Sequence, residues 1–272
     1  MIDAQGRGRA ALVVLAGGSG SRLGAPVNKV YLPLGGHPVL AWSLRWAAQV
    51  ADVGRIVVVS RPGDDALTQE ALRSLEAETP DDVPWVTPWP GPQVALPPVE
   101  LVSGGPSRHT SEGNGLRRLA PRITSGEIDV VAVHDGARPL AGPGLLRQVL
   151  ATARRVGGAV PGVPAAHLLE DDRHPIVRAQ GGAWQVRPSD AASQRLVRVQ
   201  TPQAFRAREL LAAFDAADAA GFEGTDTAAT AQAYGRLTVR LVPGTARNVK
   251  VTYPADLALA ERLLAADGAH AG

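Results

Sequence analysis

The chain contains no cysteine and a single methionine in 272 residues. Without thiols it can form no disulfide, thiolate metal site or cysteine nucleophile, and it suits a reducing compartment. Aromatic residues make up only 4% of the chain, too few for a platform that stacks single-stranded nucleic acid. An excess of one charge is also missing: 28 Lys and Arg stand against 26 Asp and Glu, a formal charge of +2. The two signs are mixed along the chain with no block of like charges, so no nucleic-acid partner is expected. Long apolar runs are absent too. Met1 to Ala10 is polar, and Ala11–Ala16 is too short for a signal peptide or a membrane span. A cytoplasmic protein that does not enter membranes is the expectation.

What is present is enough apolar residue, 45%, to bury a substantial core. Short β-branched runs predict strands at Ala11–Leu15, Arg55–Ser60, Val99–Ser103, Asp129–Val133 and Gly158–Val163. Helical periodicity predicts Val39–Val50, Ala66–Glu78, Arg108–Leu119 and Pro143–Val156 between them. This alternation implies an α/β fold with a mostly parallel sheet and helices on both faces. In such sheets ligands sit beyond the carboxyl ends of the strands. Two segments break the rhythm. The proline-rich stretch Thr79–Pro98, with Trp85 and Trp89, reads as a surface loop, and Ala165–Val199 reads as an excursion from the sheet. A helix at Ala207–Ala220, a strand at Leu237–Val242 and a helix at Pro254–Ala266 complete the chain, ahead of a frayed tail at Gly268–Gly272.

The first strand runs into Gly17-Gly-Ser-Gly-Ser-Arg-Leu-Gly24, followed by Asn28-Lys29. Glycines such as Gly17, Gly18 and Gly20 let backbone N–H groups approach phosphate oxygens. Two cations seven positions apart, Arg22 and Lys29, can grip a triphosphate from opposite sides. Other phosphate motifs fit worse. Gly24 is followed by Ala25 where a P-loop needs lysine, and the dinucleotide fingerprint finds Leu23 where its last glycine belongs.

Four further segments follow in order: Gly104-Gly-Pro-Ser-Arg-His-Thr-Ser111 with Asn114-Gly-Leu116, His134-Asp-Gly-Ala-Arg-Pro139, Gln200-Thr-Pro-Gln203, and Asn248-Val-Lys-Val-Thr252 with Asp256-Leu257. With the glycine loop, they make a layout that resembles the 2-C-methyl-D-erythritol 4-phosphate cytidylyltransferases of the non-mevalonate isoprenoid pathway. The ribitol 5-phosphate cytidylyltransferases share it. The resemblance implies one Rossmann-like nucleotidyltransferase domain over residues 1–272, a projecting β-arm at about 165–199, and a homodimer. It implies transfer of CMP from CTP to a small phosphorylated acceptor, assisted by Mg²⁺ or another divalent cation.

The roles it implies fall on particular residues. Arg22 and Lys29 match a catalytic triphosphate clamp, stabilising charge on the α-phosphorus. Ala16, Gly17, Gly18 and Gly20, with Gly105 and Ser111, match the nucleotide loops. Asp135 and Arg138 match an acceptor face, Asp135 also as a metal contact, and Thr201 and Lys250 match residues near the acceptor. The chemistry is consistent, because the attacking group is already an anion and needs positioning and charge neutralisation more than a base.

Bland roles stand beside these. His134 reads as a hydrogen-bonded structural histidine. Ser111 equally reads as an early-turn helix residue, Asp135 as a loop or capping residue, and Trp42 and Trp46, four apart, as packing. Lys250, in the strand-like stretch Val249–Val251, either snorkels at an edge or faces an anion, and the resemblance favours the anion.

The sequence also departs from the family pattern. An Asp-Thr pair after the fifth strand is replaced by His167 and Leu168, and the arginine expected eight residues before Thr201 by Ser193. Arg195 and Arg198 are nearby substitutes. Three readings follow: the standard acceptor, a paralogue using another polyol phosphate or a phosphonate, and a CTP-binding relic without turnover.

Overall fold

The computed structural model describes residues 8–18, 27–76, 95–164, 176–178, 184–186 and 197–268. Arg22, Gly20, the loop carrying Trp85 and Trp89, His167, Leu168, Ser193, Arg195, most of the expected arm and the last four residues lie outside them. The strands are β1 (Ala10–Leu15), β2 (Pro33–Leu34), β3 (His37–Pro38), β4 (Val53–Ser60), β5 (Val99–Ser103), β6 (Val130–Asp135), β7 (Gly157–Pro164), β8 (Ile176–Arg178), β9 (Trp184–Val186), β10 (Val197–Val199), β11 (Gln203–Arg206) and β12 (Thr238–Pro243). The helices are α1 (Val39–Ala48), α2 (Asp65–Arg73), α3 (Arg108–Ser125), α4 (Gly142–Val156), α5 (Ala207–Ala219), α6 (Thr227–Tyr234) and α7 (Pro254–Gly268).

The central sheet pairs β5, β4, β1 and β6 in parallel. Beyond β6 lies β11, antiparallel to both β6 and β7. Gly158 pairs with Phe205 and Val239, and Gly162 with Val199 and Pro243. β7 therefore carries β12 along one edge, and β11 followed by β10 along the other. Side chains alternate across the sheet as the two-residue strand period requires. Ala10, Leu12 and Val14 of β1, with Val130 and Ala132 of β6, face a core filled by α1 and α4. Ala11, Val13, Val131 and Val133 face the opposite core, filled by Leu116, Leu119 and Ile123 of α3 and Phe214 of α5. Each of the buried Val, Leu, Ile and Phe side chains contributes about 1.5–3 kcal/mol before chain entropy is set against it. A smaller cluster of Leu34, Val39, Trp42, Ala260 and Leu264 fastens α7 to the β2–β3 hairpin and α1.

The mostly parallel sheet with helices on both faces agrees with the sequence reading, and several boundaries move. β6 runs on to Asp135 because Val14 and Leu15 of β1 pair with His134 and Asp135, carrying two polar residues into the sheet. α3 continues to Ser125 and stops at Gly126, whose φ of 83° suits glycine. β11 and α6 were not expected. The short run Gln203–Arg206 shows no clear alternation and becomes a strand only between β6 and β7. Val197–Val199, taken as the end of the arm, belongs to the main sheet, while β8 and β9 pair separately with each other. Residues 248–251 are not a strand; Val251 N–H makes one bond, to the Ala137 carbonyl at 2.8 Å.

Candidate active site

The parallel register brings the carboxyl ends of β1, β4, β5 and β6 to one rim: Leu15 pairs with Val59 and Asp135, and Ser60 with Ser103. The chain leaves each strand under restraint. Ala16 N–H donates to Val59 O (2.8 Å), Gly104 N–H to Ser60 O (2.7 Å) and Gly136 N–H to Leu15 O (2.9 Å). A cleft of about 370 Å³ opens above this rim. Gly17, Gly18 and Lys29 line one side, Gly105, Arg108 and Ser111 another, and Asp135 with Lys250 a third. A side chain added at Gly18 would meet nothing within 4 Å, so the loop's backbone faces open space. Asn28 joins this loop to the turn carrying Lys29: its Nδ2 donates to Ala16 O and its Oδ1 accepts from Val30 N–H at 3.3 Å.

The second wall is the start of α3. Ser107 caps the helix, accepting from Thr110 N–H (3.2 Å), and Thr110 Oγ1 accepts from Ser107 N–H (3.0 Å) in return. Two otherwise orphaned backbone donors are thereby satisfied. Ser111 Oγ donates to Ser107 O (2.8 Å) and accepts from Gly105 N–H (3.1 Å), fixing the loop's shape. Glycine is required at 105, because a Cβ there would stand 2.3 Å from Thr110 Oγ1.

The third wall is a convergence of charge on Asp135, whose side chain is 8% exposed. Arg108 Nη1 donates to Oδ1 at 2.6 Å, Lys250 Nζ stands 2.7 Å from Oδ2, and Arg138 Nε lies 3.8 Å from Oδ2. Burial alone would raise this carboxyl; Arg108, Lys250 and Arg138 hold it well below the usual range. Arg108 also donates from Nε to Glu112 at 2.8 Å. Burial pushes Glu112 up to about 7 against the pull of Arg108. For Arg138, burial lowers the guanidinium pKa against Asp135, and the like charges of Arg108 and Arg198 lower it further. Arg198 of β10 is therefore near enough for its charge to reach Arg138.

Behind Asp135 runs a one-directional relay. Asp135 N–H donates to Thr201 Oγ1 at 3.0 Å. His134 Nε2–H must donate to the Arg138 carbonyl (3.2 Å), which leaves Nδ1 of the neutral ring to accept from the Thr201 hydroxyl (3.1 Å). This pattern assigns the neutral Nε2–H tautomer. Burial agrees, pushing the imidazole down to about 3, and Trp46 packs edge-on against the ring at 4.9 Å. Asn248 closes the unit: Nδ2 donates to Thr201 O (2.9 Å) and its carbonyl accepts from Arg138 Nη1 (2.7 Å).

Of the residues expected from sequence, Gly17, Gly18, Lys29, Gly105, Ser111, Asp135 and Lys250 line the cleft. Ala16 is fully buried beneath it. Arg138 and Thr201 do not line it; they hold the Asp135 turn from behind. His134 is a hydrogen-bonded structural histidine, as its isolation in the sequence implied. Arg108, Glu112 and Asn248 were missed as contributors. Glu112 left a legible signal, since it shares the apolar stripe of Leu116, Leu119 and Ile123 on α3.

Among the described residues no group of three His, Cys, Asp or Glu could hold a metal ion. Asp135 is the one described carboxylate lining the cleft, and both of its oxygens are in ion pairs. With Arg108 and Lys250 already on its two oxygens, Asp135 alone can offer a divalent ion a carboxylate contact, and the described residues supply no metal cage around it. A larger hollow of about 520 Å³, between β12, α6 and the α5–α6 loop, is lined by Val160, Val199, Phe222, Val239 and Leu241 and by no described cation. It is unsuited to a polyphosphate.

Residues 10–266 match the family model for 2-C-methyl-D-erythritol 4-phosphate cytidylyltransferase (IspD). A protein of that name from Cereibacter sphaeroides is 40% identical over 255 residues, covering 94% of this chain and 96% of its own. One from a Synechococcus species is 34% identical over 253 residues, covering 93% and 96%. Among solved structures, the 2-C-methyl-D-erythritol 4-phosphate cytidylyltransferase of Thermus thermophilus superposes with a TM-score of 0.60 at 30% identity, covering 93% of this chain and 98% of that one. The 4-diphosphocytidyl-2C-methyl-D-erythritol synthase of Anaerococcus prevotii shares the fold, with a TM-score of 0.69 at 21% identity, covering 95% and 99%.

Proposed function

The chain belongs to the 2-C-methyl-D-erythritol 4-phosphate cytidylyltransferase family, and from that premise we propose that it transfers CMP from CTP to 2-C-methyl-D-erythritol 4-phosphate and releases pyrophosphate. The observation that supports this best is the cleft itself. Glycine backbone on one side and cations on the others surround a space at the carboxyl ends of the parallel strands. An oxygen of the acceptor's phosphate attacks the α-phosphorus, and the bond from that phosphorus to the bridging oxygen of the leaving pyrophosphate breaks. Both partners are anions, so the protein's task is to bring them into line and to neutralise them.

In this reading Gly17, Gly18, Gly105 and the Ser111-braced loop receive the nucleotide, and Lys29 with Arg22 bears on the triphosphate. Lys250 and the Asp135 turn receive the acceptor, with Thr201 and Arg138 as positioning residues. Arg198, which already acts on Arg138, is the cation we assign to the acceptor's phosphate in place of the family's arm arginine. Mg²⁺ arrives as part of the substrate, chelated by the CTP phosphates, and shields their charge. A cytoplasmic homodimer completed by the partner's arm is the assembly we propose, by likeness to the family. Among the described residues no helix is long and apolar enough to cross a membrane.

The test is release of pyrophosphate from CTP and Mg²⁺, coupled to pyrophosphatase, with a panel of acceptors. Turnover with 2-C-methyl-D-erythritol 4-phosphate is expected, and its loss in Arg198→Ala through a raised acceptor KM. Turnover only with ribitol 5-phosphate or another acceptor would overturn the acceptor assignment, and none with any acceptor would leave a CTP-binding relic.

A further inference from the structure

Glu112 is an acid in an apolar place. It stands 1% exposed on the apolar stripe of α3, one turn before Leu116. Isolated carboxylates are expensive to bury, and replacing a buried ion pair with apolar side chains is often neutral or stabilising. What Glu112 does contact is Arg108, one turn earlier on the same helix, whose Nε donates to Oε1 at 2.8 Å. Arg108 in turn lines the nucleotide cleft and places Nη1 2.6 Å from Asp135. One guanidinium is thus gripped at both ends, by a buried carboxylate on α3 and by the carboxylate at the tip of β6. From other elements Glu112 is faced by Asp135 of β6 and Asp226 at the start of α6, and the Thr227 side chain of α6 favours its charged form. Among these groups Arg108 is the cation.

Two anchors fix a planar fork far better than one. Held only by Asp135, Arg108 would be free to turn about that contact and out of the cleft. We propose that Glu112 is a positioning residue for the nucleotide site. By anchoring Nε it holds the Arg108 guanidinium at the cleft wall, where Arg108 neutralises Asp135 and presents its remaining N–H donors to the phosphates of CTP. Glu112 itself never touches substrate. Its effect is therefore on nucleotide affinity rather than on the acceptor or the stability of the fold.

This inference rests on the reading that the cleft takes CTP, and the experiment separates the two. CTP binding to the wild-type protein is measured first by calorimetry; no binding there would remove the premise. Glu112→Leu and Glu112→Gln are then compared for CTP Kd, for KM of each substrate, and for Tm. Glu112→Leu should weaken CTP about five-fold, a lost charge-assisted hydrogen bond's worth. KM for the acceptor should stay unchanged, with Tm held or raised. Glu112→Gln, which keeps an acceptor for Nε–H, should recover most of that loss. Arg108→Met should weaken CTP at least as far and make the Glu112 substitutions silent when combined with them. Unchanged CTP affinity in Glu112→Leu with wild-type binding intact would overturn the proposal. So would a fall in Tm with equal losses for both substrates, or additive effects with Arg108→Met.

Discussion

The two sides of the cleft are built on different principles. The side we assign to the nucleotide is made of backbone: Gly17 and Gly18 after β1, and the 104–107 loop held by the Ser107–Thr110 capping box and Ser111. The side we assign to the acceptor is made of side chains, with Asp135 held by Lys250 and Arg138, met by Arg108 from the nucleotide wall, and steadied from behind by Thr201, His134 and Asn248. A backbone site depends on a few positions that must stay small. A side-chain site depends on every member of a buried network keeping its partner, since a broken link leaves a polar group unsatisfied. Damage should therefore be local on the first side and cooperative on the second.

The sharpest break should come from Lys29, buried at the cleft's nucleotide wall. Lys29→Ala is expected to lower kcat by about 10²–10³ while weakening CTP binding far less, because a charge aimed at the reacting phosphorus acts mainly in the transition state. Single-turnover rates set beside calorimetric CTP affinity would check this, and unchanged turnover would sink the proposed mechanism. A paired test of the two sides comes next. Thr201→Val strands the Asp135 N–H and should cost about 1–3 kcal/mol of stability. It should raise the acceptor KM and leave CTP affinity alone. Gly105→Ala pushes a methyl into Thr110 Oγ1 and should do the reverse, weakening CTP and sparing the acceptor. If both variants shift both substrates equally, the division of the cleft is wrong.

The smallest effect is one of pH, and it sets one side against the other. His134 is driven down to about 3 from an ordinary 6.5, so its stabilisation is complete above about 6.5 and is lost as pH falls toward 3. Glu112 is pushed up from 4.5 to about 7, so its stabilisation is complete below 4.5 and is lost as pH rises to about 7. Between about 4.5 and 6.5 the two slopes oppose each other. Removing Glu112 should unmask the His134 slope, so Glu112→Leu should gain stability with rising pH more steeply than wild type. Urea titrations at pH 5 and 6.5 would show it, and parallel slopes would refute it.

Much of this was legible beforehand. The alternating β-branched and helical runs carried the α/β fold, because a two-residue period and a 3.6-residue period cannot be mistaken over whole elements. Gly17, Gly18, Lys29, Gly105, Ser111 and Asp135 were all recognisable from their motifs, and each lines the cleft. Glu112 was legible too, as the acid interrupting the stripe of Leu116 and Leu119, but an Arg–Glu pair four apart reads as an exposed helix pair unless burial is known.

The sequence by itself therefore determined the elements, the parallel rim where ligands must sit, and the residue types needed to handle polyphosphate. Each of those follows from local periodicity or from the chemistry of a short stretch. Only the tertiary structure decided what Asp135 does, because Arg108, Arg138 and Lys250 meet it from 27, 3 and 115 positions away in the chain. Tertiary packing alone made a strand of Gln203–Arg206, since its backbone is satisfied by β6 on one edge and β7 on the other. It also showed that Thr201 and Arg138, expected beside the acceptor, hold the Asp135 turn from behind. Pairings of that kind rest on hydrogen bonds and charges between segments distant in the chain, and no local pattern encodes them.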